Sequence, residues 1–501
     1  MIKKQPSPTK LKKHQYARQL LISLICLSSV ASANVIEHFE SIKSNPKALY
    51  AFFKRMPKGG ELHYHFDGSS PAETMLNLAE KGQYCLNLHT QTFTRLTKHC
   101  SGLTAKQLLK NPAHYHQIIQ AWSMKNFTPE KESRLNHFFS IFGKEALIQS
   151  DFNQSLLADI MQRAANQNEL YLEIIAFHLH DDEKYARLIH STKNMLDKQR
   201  ILLANPSFQK SIKQTRQESQ HLLQQSQRIL GCSTGSQRPV CSLTVKFQYY
   251  VYRDASLDQV FAQALAGFAA ASQSDNIVGI NLVGAENRAI SLRDYKAQMK
   301  IFQFMHLAYP TVHIALHAGE LTPHIVDSTQ LSFHIHDAVF TGYAERIGHG
   351  VDIRHENNLA HLLNYMAEKP VSVEINLTSN RELLMVSGKQ HPLRFYLKHH
   401  VPVVLSTDDE GILRTDLTQQ YVEAVLNHKL DYPTIKMINR NALTYSFLPG
   451  NSLWADASTQ TYVPACDNIF ATTCLQFIRK NMKARLQWEL EKKLRVFEQS
   501  Q

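Results

Sequence analysis

The residues best suited to chemistry in this chain are a few histidines and carboxylates at separated positions. His63-Tyr64-His65 is a His-x-His pair. In an extended segment alternate side chains point the same way, so both imidazoles share a side and can share one metal ion. His317 is followed by Glu320, His349 stands further on, and Asp408 and Asp409 are adjacent. Three imidazoles and a carboxylate form a donor set suited to one Zn²⁺ per chain, with a position left for water. The chain has 26 histidines, so any one alone reads as a surface or hydrogen-bonded residue. The argument therefore rests on where the candidates fall among the structural elements.

Eight short β-rich apolar runs end in polar residues or glycine: 61–67, 170–177, 245–253, 277–284, 312–320, 346–350, 371–380 and 401–409. From the third onward their starts step by 32, 35, 34, 25 and 30 residues, room for a strand, a loop and a helix. Helical patterns such as 257–271 fill the gaps. Eight such units predict an α/β fold, a parallel (β/α)₈ TIM barrel, whose strand C-termini form the active-site face. His63 and His65, His317 with Glu320, His349, and Asp408-Asp409 all lie at those ends. No lysine ends the fourth run, which leaves no candidate for a carboxylated-lysine bridge and favours a single metal.

The first two steps are 109 and 75 residues, too long for simple crossovers. Insertions are expected after strands one and two, at about 80–165 and 185–243, within a single barrel domain over 34–501. The polar stretch 209–227 reads as an exposed helix of the second insertion. Extra C-terminal helices are expected at 415–430, 432–447 and 475–498, the last charged enough to read as a solvated surface helix.

At the amino terminus a basic segment is followed by an eleven-residue apolar run (20–30) and Ala31-Ser32-Ala33. That is the three-part pattern of a signal peptide, 1–33, cleaved before Asn34. The run is well short of the ~20 residues that span a bilayer, so no stable membrane insertion is expected after cleavage and the protein reads as secreted or periplasmic. Cys26 leaves with the leader. The other six cysteines fall in close pairs, 85/100, 232/241 and 466/474, and an even count in an exported chain reads as disulfides. Local pairing is favoured by the spacing, though six cysteines permit fifteen pairings. Formal charge is +12, from 55 Lys and Arg against 43 Asp and Glu. Without residues 1–33 the balance is 49 against 43, weak support for nucleic-acid binding.

The blocks MPKGGELHYHFDGS (56–69), VGINLVGAEN (278–287), HAGE (317–320), RIGHG (346–350), NLTSN (376–380), STDD (406–409) and RNALTYSF (440–447) resemble the adenosine deaminase family, in family order, over about residues 55–450. The leader, cysteines and insertions resemble its secreted branch, the adenosine deaminase-related growth factors. The resemblance implies that His63, His65, His317 and Asp408 bind Zn²⁺, which lowers the pKa of its water. It further implies that Glu320 gives a proton to purine N1 and that His349 orients the attacking oxygen and stabilises its charge. Asp409 would meet the N7 side, the Gly284 N–H would face N3, and Asp67 would hold a ribose hydroxyl. The implied reaction converts adenosine to inosine, or 2′-deoxyadenosine to 2′-deoxyinosine, with release of ammonia. An adenine or adenosine-phosphate deaminase and a growth-factor-like binding protein are the rival readings. Asp67 argues against a 5′-phosphate by charge repulsion.

The other zinc-deaminase design needs P-C-x-x-C, which does not occur here. Asn281 stands where many relatives carry Asp, Glu410 where Pro is usual, and Asn376-Leu377 replaces a Cys-Pro or Ser-Pro pair. Asn376 sits in an N-x-T sequon, but its place near a strand end favours a structural role over a glycan. The resemblance to the growth-factor branch implies that the apolar segment 35–53 supports a homodimer, with packing on the barrel as the alternative.

Overall fold

The computed structural model describes residues 34–501 except 131, 458 and 460, so the leader at 1–33 lies outside the described residues. Eight parallel strands follow one another around one sheet: β1 (Glu61–His65), β2 (Tyr171–Phe177), β3 (Thr244–Tyr252), β4 (Ile277–Val283), β5 (His313–Ala318), β6 (Arg346–His349), β7 (Ser372–Ile375) and β8 (Val403–Leu405). The ring closes where the His65 N–H donates to the Asp408 carbonyl (3.0 Å) and the Asp408 N–H to the His63 carbonyl (3.2 Å). This is the (β/α)₈ barrel that the run spacing predicts. The strands are rich in Val, Ile, Leu and Tyr because helices cover their outer faces.

Their inner faces carry charge as well as apolar bulk. Arg346 of β6 donates to Glu173 of β2 (2.5 Å) and to Glu374 of β7 (2.6 Å), all three buried. Phe447 packs 3.7 Å from the guanidinium. Charges sealed from water persist where each is paired and hydrogen-bonded.

The connection after β1 holds a three-stranded antiparallel sheet (Tyr84–Asn87, Thr92–Arg95, Leu103–Thr104). It then runs into helix Arg134–Asn166, which bends where Phe152 leaves helical geometry. After β2 come helices Asp182–Ile189, Met195–Ala204 and Pro206–Ile229. The polar stretch 209–227 lies in the last of these. Its buried residues are Phe208, Ile212, Thr215, Ser219, Leu222 and Ser226, alternating steps of four and three that put one narrow stripe inward. It packs against helix Leu257–Ala271, buried at every position from Val260 to Ala270.

The disulfides are the local ones: Cys85–Cys100, Cys232–Cys241 and Cys466–Cys474. Two details differ from the sequence expectation. The helix expected over 475–498 is two helices, Thr472–Lys480 and Met482–Gln499, broken at Asn481. Asn481 holds the break by donating to the Phe477 carbonyl (2.9 Å) and accepting from the Asn451 N–H (2.8 Å). The second helix is not simply solvated, since Leu486, Leu490, Leu494 and Phe497 are buried. Its Phe497 meets Phe52 at 5.1 Å between ring centroids, so the amino-terminal segment packs on this helix. No helix among the described residues is long and apolar enough to cross a membrane.

Candidate active site

Alternation along β1 sends His63 and His65 to the same side, as expected. One ligand atom each from His63, His65, His317 and Asp408 lies within 4.8 Å of all the others. His65 Nε2 is 3.1 Å from His317 Nε2 and 3.3 Å from Asp408 Oδ1. His63 Nε2 is buried 3.3 Å from Asp408 Oδ1 without making a hydrogen bond, an arrangement that costs free energy unless a cation is shared between the two atoms. Three imidazole nitrogens and a carboxylate oxygen, one nitrogen orphaned, fit a tetrahedral divalent metal.

The ligands are held from behind. His63 Nδ1 is 2.8 Å from Glu374, and His317 Nδ1 is 2.8 Å from Asn281 Oδ1. The Asn281 amide donates onward to Gln248 (2.8 Å), so the residue that departs from the family pattern still accepts from the ligand histidine. These contacts place the proton on Nδ1 and leave Nε2 free to ligate. Burial pushes His65 down to about 4 and His317 well below the usual range, keeping both neutral. Gly348 is required here, because a Cβ would sit 2.7 Å from the His63 ring.

His349 is oriented by a chain of hydrogen bonds that starts at the backbone. The Leu393 N–H donates to His391 Nδ1 (3.1 Å), so neutral His391 carries its proton on Nε2, 2.9 Å from Asn380 Oδ1. That fixes the Asn380 amide, whose Nδ2 donates to His349 Nδ1 (2.9 Å). Burial pushes both imidazoles down to about 3. His349 is therefore neutral with its proton on Nε2, which lies 3.9 Å from Asp408 Oδ2 beside the candidate metal donors. Asn376 is fully buried, its amide 3.5 Å from the same Nε2, a structural position that leaves no room for a glycan.

Glu320 lies beside this ring, 3.7 Å from His349 Nδ1. Burial, with the Asp408 charge adding to it, pushes Glu320 up to about 8. Its loop is pinned by Glu286, which accepts from the Gly319 N–H (3.1 Å) and the Glu320 N–H (2.8 Å). Glu286 also meets His334 (2.6 Å) and Arg253 (3.5 Å). Burial alone would raise its pKa, but Arg253 and His334 outweigh it and hold Glu286 at about 2.

A cavity of about 330 Å³ is lined by His65, His317, His349, Asp408, Glu320, Asp409, Gly284 and Asp67, with Phe138, Phe142 and Tyr250 among its walls. It brings the sequence candidates together, with His63 just behind. Burial raises Asp409 well above the carboxylate range, Asp408 adding to the effect. It raises Asp67 to about 6 against a hydrogen bond from Tyr250. Gly284 has φ +99°, so turn geometry demands glycine there while its backbone faces the cavity. Glu410 accepts from the Tyr64 hydroxyl (2.5 Å) and from Arg163, which anchors the loop after Asp409 without a proline.

The family model described as adenosine deaminase matches residues 159–454. The chain belongs to the adenosine deaminase family. An adenosine deaminase of Clostridium perfringens is 25% identical over 389 residues, 77% of this chain and 93% of the relative. One from Edwardsiella ictaluri is 35% identical over 137 residues, 27% of this chain and 38% of that protein. Among solved structures, Arabidopsis ADAL complexed with IMP has a TM-score of 0.55 at 17% identity, covering 89% of this chain and 99% of its own. An adenine deaminase from Arthrobacter aurescens has a TM-score of 0.51 at 16% identity, covering 87% and 99%. These two share the fold. The matched family segment begins after β1 and so leaves out His63 and His65, which the geometry of this adenosine deaminase-family chain brings to the site.

Sequence reasoning did not reach Glu286, Arg253, Asn380, His391 or Glu374. A signal existed for Glu374 and Glu173, since each is a lone carboxylate inside an apolar strand run. The others are tied to the site only by contacts distant in sequence.

Proposed function

We propose that the protein is an exported, zinc-dependent deaminase of adenosine and 2′-deoxyadenosine, releasing inosine or 2′-deoxyinosine and ammonia. The observation that carries this reading is that four convergent metal donors, a carboxyl raised to about 8 and a neutral Nε2–H donor line a single cavity. His63, His65, His317 and Asp408 would hold the zinc, which supplies an activated water at purine C6.

Glu320 is protonated at neutral pH and donates to N1, making C6 electrophilic. His349 Nε2–H stabilises the oxygen charge that develops at C6. Purine N7 is an acceptor only, so Asp409 meets it as the neutral acid that its raised pKa provides. The Gly284 N–H donates to N3, and Asp67 accepts from a ribose hydroxyl. The C6–N bond breaks, a C6–O bond forms from water, and ammonia leaves. Export is supported by three disulfides, which persist in oxidising compartments. A mature chain beginning at Asn34 in extracellular or periplasmic fractions is the result expected.

The substrate test compares ammonia release from adenosine, 2′-deoxyadenosine, adenine and AMP with zinc-loaded protein. Both nucleosides should exceed adenine and AMP by ~100-fold in kcat/KM, within the range that unpaired polar groups and repelled charges command. Faster turnover of adenine or AMP overturns the nucleoside assignment.

A further inference from the structure

The cavity beside the four candidate metal donors does not end at Asp67. A second chamber of about 520 Å³ adjoins it, and Asp67 and Phe142 line both. Three elements wall the outer chamber. The bent helix Arg134–Asn166 brings Ala146 and Asn153, the end of β2 brings Phe177 and His178, and insertion helix Pro206–Ile229 brings Glu218 and Leu222. A third space of about 700 Å³ shares His178 and His180 with it, and two of the chamber's lining residues, Ala146 and Glu218, are exposed to solvent.

The lining is chemically selective. Apolar faces alternate with amides and imidazoles, and no Lys or Arg is among the residues that line the chamber. Its charged groups are two carboxylates, Asp67 and Glu218. A phosphate there would meet like charge with no counter-charge, whereas a neutral group would bury apolar surface and keep hydrogen-bonding partners. Arg288, a cation of the inner cavity, does not line this chamber.

The groups assigned to the purine edges, Glu320, Gly284 and Asp409, line the inner cavity and not the outer chamber. With C6 at the metal donors and a ribose hydroxyl on Asp67, the 5′ carbon reaches the boundary between the two spaces. We propose that the outer chamber is a subsite for a neutral substituent on the 5′ carbon of an adenine nucleoside, a 5′-thioether being the type. This rests on the nucleoside reading above and extends it to a further substrate class. The bonds that change at C6 are the same, and the 5′ substituent passes through unaltered.

The test measures kcat/KM for adenosine, 5′-deoxy-5′-methylthioadenosine and AMP with zinc-loaded wild type, Ala146→Trp and Glu218→Lys. Ala146 and Glu218 are exposed helix positions, so neither change disturbs the core. The thioether should be deaminated within ~10-fold of adenosine and AMP at least ~100-fold more slowly, the discrimination expected between a tolerated group and an uncompensated charge. Ala146→Trp should cost the thioether ~10-fold or more while adenosine changes less than ~3-fold, since only the former needs the filled space. Glu218→Lys should raise AMP turnover ~10-fold by replacing a repelling charge with an attracting one. Rejection of the thioether with adenosine still turned over, equal loss of both nucleosides in Ala146→Trp, or AMP turnover unmoved by Glu218→Lys each overturns the subsite and leaves the adenosine reading standing. If wild type turns over neither nucleoside, the function assignment falls first and the subsite with it.

Discussion

His349 shows how much of the site's chemistry is decided by residues that do not touch substrate. Its Nε2–H follows from the Leu393 N–H through His391 and Asn380, a chain in which each partner has one remaining role. Asn380→Leu removes the middle link and leaves both imidazoles free to rotate and change tautomer. We expect kcat to fall on the order of 10²-fold, the cost of a misplaced catalytic group. KM and bound metal should change little, because Asn380 reaches neither the ligands nor the purine edges. Loss of metal in that variant contradicts the assignment. His63, His65, His317, Glu320, His349, Asp408 and Asp409 could be picked out because their residue types are scarce at strand ends. Asn380 and His391 could not, since an asparagine and one of 26 histidines carry no mark in sequence of the imidazole they orient.

At the scale of elements, the loop after β5 is held to the loop after β4 by Glu286. Its carboxylate lies below its unfolded value of 4.5, at about 2, so it contributes stability above 4.5 that is lost as the pH falls toward 2. The shift corresponds to about 3 kcal/mol. Glu286→Gln should therefore lower Tm at neutral pH, and the gap to wild type should close as both are acidified through that window. A gap that widens with acid contradicts the assignment. The insertion after β1 is clamped by Cys85–Cys100, which closes a 15-residue loop. Replacing both with alanine should cost about 3 kcal/mol on the loop-entropy account and leave metal content unchanged, because the donors sit on barrel strands. The strands and their order were legible because a repeating strand–helix unit forces a regular period. The overlong first two steps marked where insertions fall and 209–227 read as a helix, but the buried stripe of helix Pro206–Ile229 was not legible, because it shows only once a heptad-like step is imposed on a polar segment. The break at Asn481 was hidden because the residue's two hydrogen bonds go to groups that the local helical pattern does not reveal.

On the scale of the whole molecule, one barrel end carries the chemistry and the rest of the chain seals it. The ring closes through Asp408 itself, whose backbone pairs with β1 while its side chain faces β1's histidines. The four-donor set is therefore complete only where the first and last strands meet. Arg346, bridging Glu173 and Glu374, ties three strands below that site. On the function proposed above, this face is a zinc-dependent adenosine deaminase site with Glu320 as its acid. The most direct measurement compares wild type and Glu320→Gln from Asn34 onward, for bound metal and for conversion of adenosine to inosine. About one zinc per chain in both proteins, as a four-donor site requires, with turnover only in wild type, is the predicted result. Zinc bound without turnover in wild type, or no metal retained after reconstitution, contradicts it.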